Sequence, residues 1–263
     1  MSFTVVILAA GKGSRMESSI SKPLHKIAGF EMIAWVLEAA KNAGAEHIIP
    51  VIGDNMADLA SFLSDYSVAI QKKANGTASA VRAALPYIKN FNQPIIVLYG
   101  DTPFITKDII QSLFQKISSG NDICVLGFST DNPSGYGRLI QTSEGALKSI
   151  IEESEAGESE KTIKNVNAGI MAFNGNIIEV ILEKIIPSNS KKEYFLTDAV
   201  SLGFEHNLNV DFVLADKKCV IGINNRDQLA IAEMYAQNYL RKKAMLAGVT
   251  MVAPETVFLR RDT

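Results

Sequence analysis

The sequence predicts an α/β protein: a mostly parallel sheet covered by helices on both faces, with a β-rich lobe inserted in its second half. Three observations carry this. Short apolar, β-branched runs alternate with helical patterns from Phe3 to Phe128, the order expected of βαβ units. Those runs are apolar along their whole length, as in strands buried on both faces. Between Gly135 and Phe173 the helical period fades into short strands joined by polar loops.

The elements follow in order. Phe3–Ala9 reads as a buried strand, followed by a Gly/Ser-rich loop from Gly11 to Lys22. Met32–Ala43 carries apolar residues at helical spacing, and Gly44 is placed to cap its end. His47–Ile52 is a strand, Ala57–Leu63 a helix, Val68–Gln71 a strand and Thr77–Leu85 a helix. Pro94–Tyr99 is the most hydrophobic strand and ends at Gly100-Asp101; helix Lys107–Ile117 and strand Ile123–Phe128 follow. The lobe is expected to hold strands at Tyr136–Gln141, Ala146–Ile151 and Val166–Phe173. The acidic run Glu152–Glu160 reads as a solvated loop. Helices return at Asn176–Ile185 and Thr197–His206, then a strand at Val210–Ala215 and a long helix at Arg226–Leu246. Residues 247–263 read as strand-like but too short to form a module.

Composition removes several classes. The 263 residues carry 26 basic and 28 acidic side chains, a formal charge of −2, which argues against coating a nucleic acid or another polyanion. No apolar run approaches the roughly 20 residues that span a bilayer. The N-terminus lacks the basic segment and cleavage site of a secretory signal, so a cytoplasmic protein with no membrane partner is expected. The two cysteines, Cys124 and Cys219, are far apart in apolar, strand-like stretches and read as reduced core residues. The three histidines have no zinc-ligand spacing.

In an open sheet of this kind a ligand sits outside the carboxyl ends of the strands. That rule selects the loops starting at Ala10, Gln71 and Tyr99. The first, Leu8-Ala9-Ala10-Gly11-Lys12-Gly13-Ser14-Arg15-Met16, brings backbone N–H groups and the cations Lys12, Arg15 and, further on, Lys22 to one place, which suits a triphosphate. It is neither a dinucleotide fingerprint, which needs glycine where Met16 stands, nor a Walker loop. Asp101, at the end of the most buried strand, is placed to hold a hard cation such as Mg²⁺, although a turn or capping aspartate explains it too. Asn75-Gly76-Thr77 opens a helix whose free N–H groups suit an anion or a base edge, or merely a cap. Gly135-Tyr136-Gly137-Arg138, Asn167-Ala168-Gly169 and Gly222–Arg226 are weaker signals, each a polar turn beside an apolar strand. No nucleophile elbow is present. Chemistry by positioning and charge neutralisation is therefore expected.

Leu8-Ala9-Ala10-Gly11-x-Gly13-x-Arg15-Met16 with Ser21-Lys22-Pro23-Leu24 resembles the opening of the sugar-1-phosphate nucleotidyltransferases. Gln71 with Gly76-Thr77, Tyr99-Gly100-Asp101, Gly135–Arg138, Ile151-Glu152, Asn167–Gly169, Glu193–Asp198 and Gly222–Arg226 narrow the likeness. Over nearly the whole chain, Phe3 to Leu259, it is similar to the N-terminal uridyltransferase domain of the bacterial bifunctional N-acetylglucosamine-1-phosphate uridyltransferases/glucosamine-1-phosphate N-acetyltransferases. The resemblance implies a Rossmann-like sheet of the nucleotide-diphospho-sugar transferase type, whose β-rich lobe binds sugar. It also implies a Mg²⁺-dependent reaction in which UTP and N-acetylglucosamine 1-phosphate give UDP-N-acetylglucosamine and pyrophosphate.

The same likeness assigns roles. Gly11 and Gly13 would wrap the phosphates, with Leu8, Ala9 and Ala10 on the uridine side. Arg15 and Lys22 would be catalytic, neutralising charge on the phosphates and the departing pyrophosphate. Gln71, Gly76 and Thr77 would read the uracil. Asp101 and Asn224 would hold Mg²⁺. Gly137, Glu152 and Asn167 would hold the sugar, with Tyr99 and Gly100 lining the pocket. Ala168 stands where the family commonly has threonine, and Lys72-Lys73 where it often has alanine and an acidic residue. The resemblance divides the chain into a catalytic domain (1–226), a linker helix (227–248) and the start of a missing left-handed β-helix (249–263), which in the family acetylates with acetyl-CoA and forms a homotrimer. The alternatives are a thymidylyl- or guanylyltransferase of the same fold and a catalytically silent nucleotide-sugar sensor.

Overall fold

The computed structural model describes residues 2–187 and 192–263. Its first half alternates as the sequence predicts: β1 (Thr4–Leu8), α1 (Met32–Ala43), β4 (His47–Gly53), α2 (Ala57–Phe62), β5 (Ala69–Gln71), α3 (Thr77–Ala84), β6 (Ile95–Tyr99), α4 (Lys107–Ser118) and β7 (Ile123–Ser129). Between β1 and α1 lies a small hairpin that the sequence reading did not contain, β2 (Lys26–Ile27) and β3 (Phe30–Glu31). Gly44 closes α1 with φ 94°, its N–H bonded to the carbonyls of Ala40 and Lys41, as expected of a left-handed cap.

The second half contains β8 (Arg138–Gln141), β9 (Leu147–Ile151), α5 (Glu158–Lys161), β10 (Asn165–Phe173), α6 (Gly175–Lys184), α7 (Asp198–Glu205), β11 (Val210–Leu214), α8 (Lys217–Val220) and α9 (Arg226–Leu246). Three readings are corrected. The acidic run is not all loop, because its end folds into α5, where the Glu160 carboxylate accepts the N–H of Gly157 at 2.6 Å. Cys219 lies in α8, not in a strand. Residues 249–263 form no strand. Leu259 packs beside Ala232, Ala236 and Leu240 of α9, whereas Val249, Val252 and Phe258 are exposed. Side chains of α9 take the place of a ladder partner: the Gln237 amide exchanges bonds of 2.7 and 2.8 Å with the backbone of Leu259, and Arg241 Nε donates to Val257 O at 2.7 Å.

The main sheet runs in the order β11-β7-β10-β6-β1-β4-β5. Every neighbouring pair in it is parallel except the two that β10 makes, with β6 and with β7. The order in which strands are added across the sheet reverses at β1, which has β4 on one side and the later β6 on the other; this is a switch point of the kind that opens a ligand crevice. One face is covered by α1, α2 and α4 over Val5, Ile7 and Leu98. The other is covered by α3, α6 and α7 over Val6, Val97 and Met171. A third small core, with Ile27, Met32, Ala232, Ala236 and Leu240, fixes α9 against the β2–β3 hairpin. The β8–β9 hairpin extends the sheet through β10 and forms the expected lobe. No helix among the described residues is long and apolar enough to cross a membrane. Both cysteines are free thiols, and burial pushes Cys124 up to about 12.

Candidate active site

Strand register assembles the site. Leu8 lies opposite both Val51 and Tyr99, and Gln71 lies opposite Gly53. The ends of β1, β5 and β6 therefore open on one edge. There a cavity of about 310 Å³ is lined by Leu8, Ala9, Ala10, Gly11, Lys22, Gln71, Gly76, Thr77, Tyr99 and Asp101 from the predicted set. A second cavity of about 350 Å³ shares Thr77, Tyr99 and Asp101 and adds Gly137, Glu152 and Asn167. The two thus meet at the ring of Tyr99 and the carboxylate of Asp101. Gly13, Arg15 and Asn224 line neither cavity, although Arg15 and Asn224 reach Lys22 and Asp101 through hydrogen bonds. Gly100 also lies outside both linings. It is buried against β1, with its N–H bonded to Leu8 O at 3.0 Å, and a Cβ there would sit a tight 3.2 Å from the Ala9 side chain.

The first cavity is built from the glycine loop and the start of α3. Gly13 sits at φ 61° in the left-handed region, and a side chain there would meet the Lys22 stem at 2.6 Å. That contact lays Lys22 along the loop and delivers its ammonium to Asp101 and Asn224. Lys22 Nζ pairs with Asp101 Oδ2 and donates to Asn224 Oδ1 at 2.8 Å, and Arg15 donates to the same Asn224 oxygen at 3.1 Å. Asn224 is tied by its N–H to Gln228 Oε1 at 2.6 Å, and its neighbour Ile223 donates to Asp101 O at 2.9 Å. Opposite, Gln71 is buried and donates to Gly76 O at 3.0 Å. The start of α3 is less open than the sequence suggests, because the Ala78 N–H is taken by Tyr194 O at 2.9 Å and Thr77 Oγ1 accepts from Leu196 N at 2.9 Å. Lys72 and Lys73 are exposed, and Lys72 borders an adjoining depression that also contains Lys12.

The second cavity is a product of the lobe. The register of β10 on β7 shifts between Asn167 and Met171; Gly169 has φ 87° and donates to Asn167 Oδ1 at 2.8 Å. This irregularity turns Asn167-Ala168-Gly169 out of the ladder toward the cavity. Gly169 also lets the Tyr99 ring approach to 3.1 Å of where a Cβ would sit. Burial, with Asp101 and Glu152 nearby, raises the Tyr99 phenol well above its ordinary range, so it stays protonated. Gly137 faces Glu152 across β8–β9, and a side chain there would strike Ile150 at 2.8 Å. Thr197 Oγ1 donates to Glu152 Oε1 at 3.1 Å. Burial first, then Glu155 and Glu152, raises the Asp198 carboxyl to about 6.

Several lining residues escaped the sequence reading as individuals: Pro23, Ala74, Glu193 and Phe195 in the first cavity, and Thr102, Thr197 and Gly222 in the second. The run Glu193–Asp198 was singled out without roles; Glu193 and Phe195 precede α7 and carried no periodic signal.

A metal is tested on the donor set. No cluster of three acidic, histidine or cysteine side chains that could hold an ion exists among the described residues. Asp101 and Asn224 nevertheless aim one carboxylate and one amide oxygen at a single ammonium, so a cation already bridges them. Such a pair fits a divalent ion that keeps waters and takes its other ligands from substrate phosphates.

A parallel sheet with a glycine loop at its switch point, cationic side chains and a strand-end carboxylate define a nucleotidyltransferase. Residues 5–163 match the MobA-like NTP transferase domain, and the chain belongs to that family. Among curated relatives it is 43% identical over 98% of its length to the bifunctional protein GlmU of Rhizobium etli (strain CIAT 652) and 42% identical over 100% to that of Xanthobacter autotrophicus. It spans 58% and 59% of those proteins, respectively. A crystal structure described as a glucose-1-phosphate thymidylyltransferase from Bacillus anthracis, bound to sucrose, superposes with a TM-score of 0.70 at 20% identity, covering 96% of this chain and 98% of that one. That likeness speaks for the fold.

Proposed function

We propose that the chain transfers uridylyl from UTP to N-acetylglucosamine 1-phosphate, releasing pyrophosphate and UDP-N-acetylglucosamine. The observation that carries this is the meeting of two cavities at Asp101 and Tyr99, where Lys22 of the first cavity pairs with Asp101. Identity near 40% to the bifunctional proteins GlmU along essentially the whole chain supports the choice of substrates. UTP would occupy the first cavity, its uracil against Gln71 and Gly76-Thr77 and its phosphates along Gly11–Arg15. The sugar would occupy the second, against Gly137, Glu152 and Asn167, with its phosphate facing Lys22.

The chemistry is a displacement at phosphorus. A phosphate oxygen of the sugar phosphate attacks the α-phosphorus of UTP; that bond forms as the bond from the α-phosphorus to the α–β bridging oxygen breaks, and pyrophosphate leaves in line. Arg15 and Lys22 meet the charge that builds on the transferred and departing groups. Mg²⁺ held by Asp101 and Asn224 would neutralise triphosphate charge. Lys22, which pairs with Asp101 and Asn224 here, would then be available to the phosphates. Glu152 and Asn167 orient the sugar and move no proton.

The full protein is further read as cytoplasmic, acting in cell-wall precursor synthesis. In that reading residues 1–226 are the catalytic domain and 227–248 a linking helix. Residues 249–263 lead toward a second, acetyl-transferring and trimerising module in the length that the relatives have beyond this chain. The decisive assay is pyrophosphate release with Mg²⁺. It compares N-acetylglucosamine 1-phosphate, glucosamine 1-phosphate and glucose 1-phosphate, then dTTP, GTP and ATP in place of UTP. Turnover confined to UTP and the acetylated sugar supports the proposal; a different preferred pair overturns the substrates, and none at all favours a nucleotide-sugar sensor.

A further inference from the structure

Arg138 is the largest fully buried side chain among the described residues. Arginine is almost never buried unless paired, and here its partners lie on the two segments that wall the sugar-side cavity. Its guanidinium donates to Tyr136 O through Nη1 and to Glu153 Oε2 through Nη2, the latter at 2.6 Å. Its Nε finds no partner among the described residues. The Glu153 carboxylate also accepts from the Gly135 N–H, and these bonds, that to Arg138 first, hold it below the usual carboxylate range. Arg138 also lies between the two strands that deliver the sugar-side residues: it is opposite Ile151, next to Glu152, and opposite Val166, next to Asn167. Gly137 O accepts the Asn167 N–H at 2.8 Å.

We propose that Arg138, with Glu153, is a positioning clamp that fixes the Gly135–Gly137 turn against Glu152 and so sets the width of the sugar-side cavity. The proposal rests on the reading of that cavity as the sugar site. Neither Arg138 nor Glu153 lines a substrate cavity, so the clamp acts through Gly137 and Glu152. A planar fork bonding two acceptors at once is what lysine cannot reproduce, since its ammonium is a single point. Glutamine at 153 would leave a buried guanidinium without its counter-charge.

The test uses Arg138→Lys, Glu153→Gln and, as the charge-preserving variant, Glu153→Asp, with each substrate varied in turn. The expected result is a rise of about five- to tenfold in the KM for the sugar phosphate in the first two variants. The KM for UTP should stay within twofold, and Glu153→Asp should restore most of the loss. Hydrogen exchange should quicken at 135–137 and 152–155 and stay unchanged at 8–11 and 71–77. A lower melting temperature with both KM values unchanged, or with both raised alike, overturns the clamp and leaves a plain stability role. Should the unmodified chain turn over no sugar phosphate at all, the substrate reading fails by itself. The exchange data then decide the clamp alone: quickening confined to the two segments supports it, and unchanged exchange overturns it.

Discussion

Gly76→Ala tests how the nucleotide cavity is built. Gly76 has φ 117° and ψ 169°, a region that is essentially closed to residues with a side chain and costs roughly 1–3 kcal/mol to occupy. A Cβ there would also lie 2.3 Å from Tyr194 O and 2.6 Å from Tyr194 N. Backbone cannot yield as a flexible side chain would, so the 192–196 segment must move away. Two backbone bonds would go with it, Ala78 N–H to Tyr194 O at 2.9 Å and Tyr194 N–H to Asn75 O at 2.8 Å, each worth about 1 kcal/mol. Together these give a loss of about 3–5 kcal/mol, a large share of the roughly 5–15 kcal/mol that holds a domain. Urea unfolding followed by circular dichroism measures it. Gly175→Ala is the control for strain away from the site, since its Cβ would meet Phe91 O at 2.2 Å. Both variants should be destabilised, but only Gly76→Ala should also weaken UTP binding in calorimetry. A Gly76→Ala protein within 1 kcal/mol of the original, binding UTP normally, would refute the close approach of Tyr194 as the reason for glycine.

Three further outcomes are expected. Asp101→Asn removes the only carboxylate of the cation pair and should cut pyrophosphate release by about 10²–10³ with the fold intact by circular dichroism; near-normal turnover at saturating Mg²⁺ would remove Asp101 from metal binding. Arg15→Ala should lower kcat more than it raises either KM; an effect on KM alone would assign it to ground-state binding. Burial raises the Asp198 carboxyl to about 6 in the fold from its ordinary 3.8. The native state thus binds more protons than the unfolded chain between those values, and stability falls as pH rises through that window. The unscreened shift is worth about 3 kcal/mol; half exposure reduces it to about 1 kcal/mol. Asp198→Asn should therefore flatten the melting-temperature profile between about pH 4 and 6 and raise it above pH 6, and an unchanged profile would exclude Asp198 as its source.

The parallel half of the fold was legible because its strands and helices are long enough for their periods to show. What was lost is what carries no period. The β2–β3 hairpin has two residues a side, and its turn is Ala28-Gly29 at φ 49° and 81°, a two-residue turn without the Asn-Gly or Asp-Gly that marks such turns. Helix α8 is one turn long, so its apolar residues read as strand. The antiparallel entry of β10 between β6 and β7 is invisible because direction leaves no mark on hydrophobic pattern. The glycine loop and Asp101 were readable as local motifs. Asn224 was not, because its meaning lies in sharing Lys22 with Asp101 across a separation of 202 residues; only resemblance to a family could select it.

The two halves of the site are opposite in charge, and on the proposed reading that difference would orient the acceptor. Lys12, Arg15 and Lys22 gather around the glycine loop, where a triphosphate would lie. Glu152, Glu155 and Asp198 gather at the far side of the second cavity, near enough for the first two to raise the titration of the third. Carboxylates accept hydrogen bonds from sugar hydroxyls but repel a phosphate. On the proposed reading, a sugar phosphate entering this field would be driven to one orientation, hydroxyls toward Glu152 and phosphate toward Lys22 and the nucleotide. Positioning of that kind supplies much of what a displacement at phosphorus needs. On that reading the field itself would select the one arrangement in which the acceptor oxygen faces the α-phosphorus.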